Sequence, residues 1–255
     1  MRHFVLPDCQ IRPGDNTDFL ERIGTYIVEK QPEVIVNLGD FADMPSLSSY
    51  DQGKKSFEGR RYVNDVQATR DAMDRLLKPL RDHNHRQRKN GKKLYKPRMV
   101  LTYGNHCDRI TRAINSDPKL DGTLDLSDLG YEAAGWETHP FLEVAIVDGI
   151  AYSHFFVTGV AGRPASTAAA QLNKKHQSCI AGHQQGRQVA TAYRADGKRI
   201  TSIIAGSCYE HDEDYMGPQG NNHWRGCIML NEVNDGEFDE MFISLDYLKR
   251  KYGTN

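Results

Sequence analysis

Five times along this chain a residue able to hold a metal ion or activate water stands just beyond a short apolar run, and no other feature constrains the fold as much. Residues 4–6 (FVL), 34–38 (VIVNL) and 98–103 (RMVLTY) are strand-like, and they are followed by Asp8 and Gln10, by Asp40 and Asp43, and by Asn105 and His106. Between the first two runs, Phe19, Ile23 and Ile27 recur every four residues within 17–30, the spacing of an amphipathic helix. Strand, helix and strand with uninterrupted apolar strands open an α/β sheet. In such a sheet the carboxyl ends of the strands converge on one crevice, so groups distant in sequence can share a site.

The second half is richer in strands, expected at 141–147, 150–154, 179–181, 188–193, 199–204, 227–232 and 238–245, with a helix at 163–177. His154 and His183 again follow strand-like runs, and Asp-Gly pairs at 148–149, 196–197 and 235–236 mark hairpin turns. Glycines precede Asp40, Asn105 and His183, which is expected to let the backbone turn sharply and aim each side chain inward. Carboxylates, an amide oxygen and imidazoles together suit a divalent ion such as Mn, Fe, Zn or Ni.

A long connection, 41–97, separates the second and third strands. Met73, Leu76, Leu77 and Leu80 share one helical face within 64–80, so it reads as an insertion at about 44–97 with one helix and a basic, mobile or polyanion-facing tip. That tip, 81–98, holds eight Lys or Arg and a single acid, whereas 210–214 (EHDED) is acidic. The basic run is either a solvated face or a surface that contacts phosphate backbones. Without an internal repeat or low-complexity linker, 1–255 is expected to be a single domain.

The net charge of −1 gives no global pull towards nucleic acid or membrane. No apolar run approaches a membrane span, so no membrane partner is expected. Five cysteines, odd in number and without a C-x-x-C pair, argue for a reducing compartment and against a disulfide framework. The N-terminus lacks the apolar core of a signal peptide, which makes a cytoplasmic protein the expectation.

Taken in order, D-x-Q (Asp8, Gln10), G-D-x-x-D (Asp40, Asp43), G-N-H (Asn105, His106), a lone His154 and G-H-x-Q (His183, Gln185) resemble the calcineurin-like metallophosphoesterase family. That family's pattern is D-x-H, G-D-x-x-D, G-N-H-[DE], H and G-H-x-H. The likeness extends to uncharacterised phosphoesterases of tailed bacteriophages, including the stretch 214–226 (DYMGPQGNNHWRG); for such an origin the compartment is the host cytoplasm. The resemblance implies a four-layer α/β/β/α sandwich with mixed sheets and an inserted helical, basic lobe. It also implies two divalent ions bridged by Asp40, with Mn expected first and Zn, Fe, Ni or Mg as alternatives. One ion would take Asn105, His154 and His183. The other would take Asp8 and the positions of Gln10 and Gln185. Attack would come from a metal-bound hydroxide, with His106 aiding the leaving oxygen.

Three positions depart from the family pattern. Gln10 and Gln185 stand where it has histidines, and a neutral amide oxygen is a poorer ligand for a borderline ion, so that site is expected to be weak or to prefer a harder ion. Cys107 stands where the pattern has an acid, with Asp108 one residue later. Asp43 and Asp108 are expected behind the ligands, orienting them or His106. Arg109, Tyr209 and His211 are expected to line the substrate pocket. The leading expectation is a phosphodiesterase or nuclease acting on nucleic acid, DNA or RNA, or on nucleotides. A phosphomonoesterase, and a metal-poor binding or scaffold protein on the same fold, are the alternatives.

Overall fold

The computed structural model describes residues 1–213 and 216–253; Asp214 of the acidic run, and Asp214 and Tyr215 of the stretch 214–226, lie outside the described residues. Strands β1 (His3–Leu6), β2 (Val34–Asn37), β3 (Arg98–Thr102) and β4 (Glu137–His139) run parallel in one sheet. β10 (Gly226–Asn234) adds antiparallel to β1, and β11 (Glu237–Ser244) adds antiparallel to β10, giving the order β11-β10-β1-β2-β3-β4. The second sheet, β5-β6-β7-β9-β8, has parallel β6 (Ile150–Ser153), β7 (Cys179–Ala181) and β9 (Arg199–Ile204). Antiparallel β5 (Ala145–Val147) and β8 (Gln188–Tyr193) form its edges.

Val5, Val36, Val100, Ile150, Ile180, Ile203 and Ile228 form one core cluster, which puts the two sheets face to face. The outer face of the first sheet packs on α1 (Asp18–Lys30), α2 (Tyr62–Lys89) and α6 (Leu245–Tyr252) through Phe4, Leu6, Ile23, Met73, Leu76 and Leu248. On the other side α4 (Ala168–Lys175) lies against β7, β8 and β9. The result is the expected four-layer α/β/β/α arrangement with two mixed sheets. Two short helices, α3 (Arg109–Ser116) and α5 (Gly217–Gly220), lie in connections. No helix among the described residues is long and apolar enough to cross a membrane.

The connection at 44–97 contains the one long helix expected there, over a longer span than 64–80. Its helix, α2, has 28 residues, and Ala72, Met73, Leu76 and Leu77 complete the core on that side. It meets α1 at Gly24, where a Cβ would overlap the Leu76 carbonyl and crowd Pro79, so only glycine lets the helices approach this closely. The first half of the basic run is the last turns of α2.

Local chemistry sets the other boundaries. Asp148–Gly149 and Asp235–Gly236 each carry two successive positive φ angles, the twist a tight hairpin needs. β5 is shorter than expected because Leu142, with φ of 68°, turns the chain before it. α4 starts only after Pro164, where Thr167 caps it by accepting from the Ala170 N–H at 3.1 Å. The five cysteines are all free and buried.

Candidate metal centre

Five of the parallel strands deliver a polar group at their carboxyl ends: β1 to Asp8, β2 to Asp40, β3 to Asn105 and His106, β6 to His154 and β7 to His183. The loops are laced together below the site. Asp40 O accepts from Cys9 N at 3.1 Å and from Gln10 N at 2.8 Å, and Asp8 Oδ1 accepts from His183 N at 3.0 Å across the two sheets.

Gly39 has φ of +90° and turns the chain into Asp40, as expected, but Gly104 and Gly182 do a different job. A Cβ at Gly104 would overlap Asp40 Oδ1, and one at Gly182 would overlap Asp8 Oδ1. These glycines make room for the carboxylates of neighbouring strands. The turning is done in part by the site residues themselves, since Gln10, Asp40 and His183 adopt left-handed φ of 46°, 44° and 68°. Non-glycine residues pay roughly 1–3 kcal/mol each for such conformations, which persist where surrounding structure enforces them.

Asp40, His154 and His183 offer ligand atoms that all lie within 4.8 Å of one another. Asn105 Oδ1 sits among them, 2.8 Å from His154 Nε2 and 2.8 Å from His183 Nδ1. His154 Nδ1 donates to Leu38 O at 2.9 Å, which turns Nε2 towards Asn105 Oδ1 and towards Asp40 Oδ2 at 3.2 Å. Two oxygens thus converge on one buried ring nitrogen, an arrangement that favours a positive charge between them. Protonation shows the same demand: burial pulls the His154 pKa down, yet the Asp40 charge beside it outweighs burial and lifts it to about 9. Burial and the His154 charge lower His183 to about 4, so it stays neutral with a lone pair to offer. Burial works against ionised Asp40, but His106 and His154 hold its carboxyl well below the usual range. Two imidazoles, a carboxylate and an amide oxygen fit a borderline divalent ion.

The other half of the centre is built differently. Asp8 Oδ2 is buried with no hydrogen-bond partner, and burial raises the Asp8 carboxyl to about 7 against the opposing pull of His154. Gln10, two residues on, is also buried. Gln185 Oε1 accepts from Tyr209 OH at 2.8 Å, so its amide is already fixed by the protein. Donors on this side are oxygens only, and the Asp40–His154–His183 cluster is the one acid–His–Cys group among the described residues close enough to hold an ion.

His106 stands beside the cluster, its Nε2 3.9 Å from Asp40 Oδ2 and its backbone N–H donating to Asp40 Oδ1 at 2.8 Å. Its Nδ1 is 2.7 Å from Asp43 Oδ1, a contact of charge without the angle of a directed hydrogen bond. Burial disfavours the His106 cation, but Asp40 and Asp43 outweigh it and raise the pKa. Arg109 Nη1 donates to Asp43 O at 2.8 Å and lies 3.2 Å from Asp43 Oδ1, so Arg109 braces the aspartate that holds His106. Asp108 stands further back. It pairs with Arg112 at 3.4 Å, and Arg112 donates to Asn105 O at 2.6 Å. Cys107 points away into the core beside Tyr131 OH, 3.8 Å off, and burial pushes its thiol to about 12.

Tyr209 is buried, stacked on His211 at 4.3 Å with Arg225 5.0 Å from its ring. Both His211 nitrogens face acids, Asp15 at 3.2 Å and Glu213 at 2.9 Å. The pair thus fixes Gln185 from behind. Sequence reasoning missed Phe155, whose ring lies 4.8 Å from His183 and 5.6 Å from Phe141 and walls the cluster with apolar surface. It also missed the Leu38 carbonyl, which sets the His154 tautomer. The aromatic pair directly after His154 was the available signal for the first; a backbone carbonyl leaves none.

No protein-family model matches the chain, and no curated protein matches it. Solved structures similar to it include a conserved uncharacterized protein from Streptococcus pneumoniae TIGR4, described as a predicted phosphoesterase, at 10% identity and a TM-score of 0.39, covering 96% of this chain and 90% of that one. Another is Yfce, a phosphoesterase from E. coli, at 12% identity and a TM-score of 0.38, covering 96% and 100%.

Proposed function

We propose that the chain is a metal-dependent phosphoesterase that hydrolyses phosphodiesters, with nucleic acids or nucleotides as the substrate class. The observation that carries this reading is the convergence of Asp40, Asn105, His154 and His183 beside His106, whose Nδ1 faces Asp43. A divalent ion held by those four residues would neutralise charge on the phosphoryl oxygens and acidify a water.

The chain's own residues supply the remainder. Asp43 and Arg109 fix the His106 ring, leaving Nε2–H at the site to protonate a departing oxygen. An alkoxide leaving group needs that proton, which favours diesters over activated esters as the natural substrate. Leu38 O holds His154 in one tautomer, and Phe155 limits the access of bulk water on the His183 side. Asp8 keeps one carboxylate oxygen uncommitted and would be the charged donor to a second, harder cation, with the Gln10 and Gln185 amides as neutral oxygen donors. Such a site is weaker than the first, because neither amide adds charge.

The test is a panel of bis(p-nitrophenyl) phosphate and p-nitrophenyl phosphate, assayed on purified protein with Mn, Mg, Ni or Zn after chelation. Diester turnover is expected with Mn and is expected to exceed monoester turnover. Preference for the monoester would replace this reading by a phosphatase, and no turnover of either would leave a binding protein.

A further inference from the structure

We infer that the end of the molecule opposite the metal centre is a docking surface for the phosphate backbone of a nucleic acid. The basic run 81–98 leads into the start of β3, whereas Asn105 and His106 follow its other end. Five strand residues, roughly 17 Å of chain, separate the two. The cations therefore do not line the site; they gather at the other end of β3.

On that face the charge is uncompensated. Arg86, Arg88, Lys89, Lys92, Lys93 and Lys96 are all exposed, and none has an acidic partner among the described residues. The flanking cations do have partners, Arg81 with Asp74 at 3.1 Å and Arg98 with Glu137 at 2.9 Å. The negative end of the α2 dipole accounts for Arg86, Arg88 and Lys89, but not for three lysines beyond the helix.

The lysine segment is also held in place. Asn84 Nδ2 donates to Tyr95 O at 2.7 Å while its Oδ1 accepts from Tyr95 N at 2.9 Å, and Lys92 N donates to Gln87 O at 2.9 Å. Tyr95 OH then donates to Pro32 O at 2.7 Å, fastening the loop to the body of the protein. Six unpaired cations on one short, braced helix–loop unit complement the charge of a polyanion. A lipid surface fits less well, because such surfaces are gripped by exposed apolar side chains next to the cations. Leu94 and Tyr95, the apolar residues here, are half-buried.

The inference takes nucleic acid from the proposed substrate class, but its test reads binding and not hydrolysis. Fluorescence anisotropy of a labelled 30-base-pair DNA duplex is measured at several salt concentrations with the full chain. The comparison is a variant with Arg86, Arg88, Lys89, Lys92, Lys93 and Lys96 each replaced by Ala. Wild type is expected to bind with a log–log salt slope of about −4 to −5, since each neutralised phosphate contributes about −0.9. The variant is expected to bind at least about thirtyfold more weakly at low salt with a slope near −1. Its turnover of bis(p-nitrophenyl) phosphate should be unchanged, which shows that the fold and centre are intact. Equal affinity and slope in the two proteins would overturn the docking surface, as would binding to phosphatidylserine vesicles without binding to the duplex.

Discussion

Asp40→Asn is expected to lower metal-dependent diester hydrolysis by more than about a hundredfold, because loss of a mere outer partner of a metal ligand already costs 10–100-fold. Asp40 does more than any other residue of the cluster: its side-chain Oδ1 accepts the His106 N–H and Oδ2 faces His154, while its backbone carbonyl ties down the loop after β1. His183→Ala is expected to lose activity similarly, through one of the two imidazoles. A second readout comes from chelator-treated protein. The folded pKa of His154 is raised to about 9 by Asp40, so its pairing stabilises the fold fully below the ordinary histidine value of about 6.5 and is lost as pH rises through 9. Wild-type stability to urea should decline across that window, and Asp40→Asn should flatten the decline. Full activity in Asp40→Asn would remove it from the centre.

The second large effect belongs to His106. His106→Gln should slow cleavage of an oligonucleotide by on the order of 10²–10⁴-fold, the usual worth of a positioned acid, while an activated aryl ester is largely spared because its leaving group needs no proton. Metal content should be unchanged, since His106 is not among the four converging residues. Equal loss on both substrates with metal retained would make His106 a phosphate-binding group. Wild-type rates on the oligonucleotide would remove it from proton transfer altogether.

How far the sequence could be read follows from which interactions are local. The buried runs of β1, β2 and β3 and the alternation in β8 carry their periods in the sequence, and so do the polar residues after them. The placement of Asp8, Asp40, Asn105, His154 and His183 at strand ends was legible for that reason. What was not legible depends on approach between distant segments. Nothing local distinguishes a glycine that turns the chain, as Gly39 does, from one that makes room for a neighbour's carboxylate, as Gly104 and Gly182 do. β4 has only three residues, too few for a period, and α3 follows directly on the G-N-H segment with Ile110 and Ile114 as its apolar marks. α6 begins where β11 ends, at the Ser244 cap, so its first residue read as strand. The place of the basic run was hidden most of all, since only the parallel topology sets it at the opposite end of β3 from Asn105 and His106.

The claim on which the rest depends is that Asp40, Asn105, His154 and His183 hold a divalent ion. It is tested most directly by diffraction from Mn-soaked crystals at the manganese absorption edge. The account predicts a strong anomalous peak within ligand distance of those four side chains, with any second peak, near Asp8 and Gln10, at lower occupancy. A map with no peak at the four side chains, or with its only peak elsewhere, would contradict it.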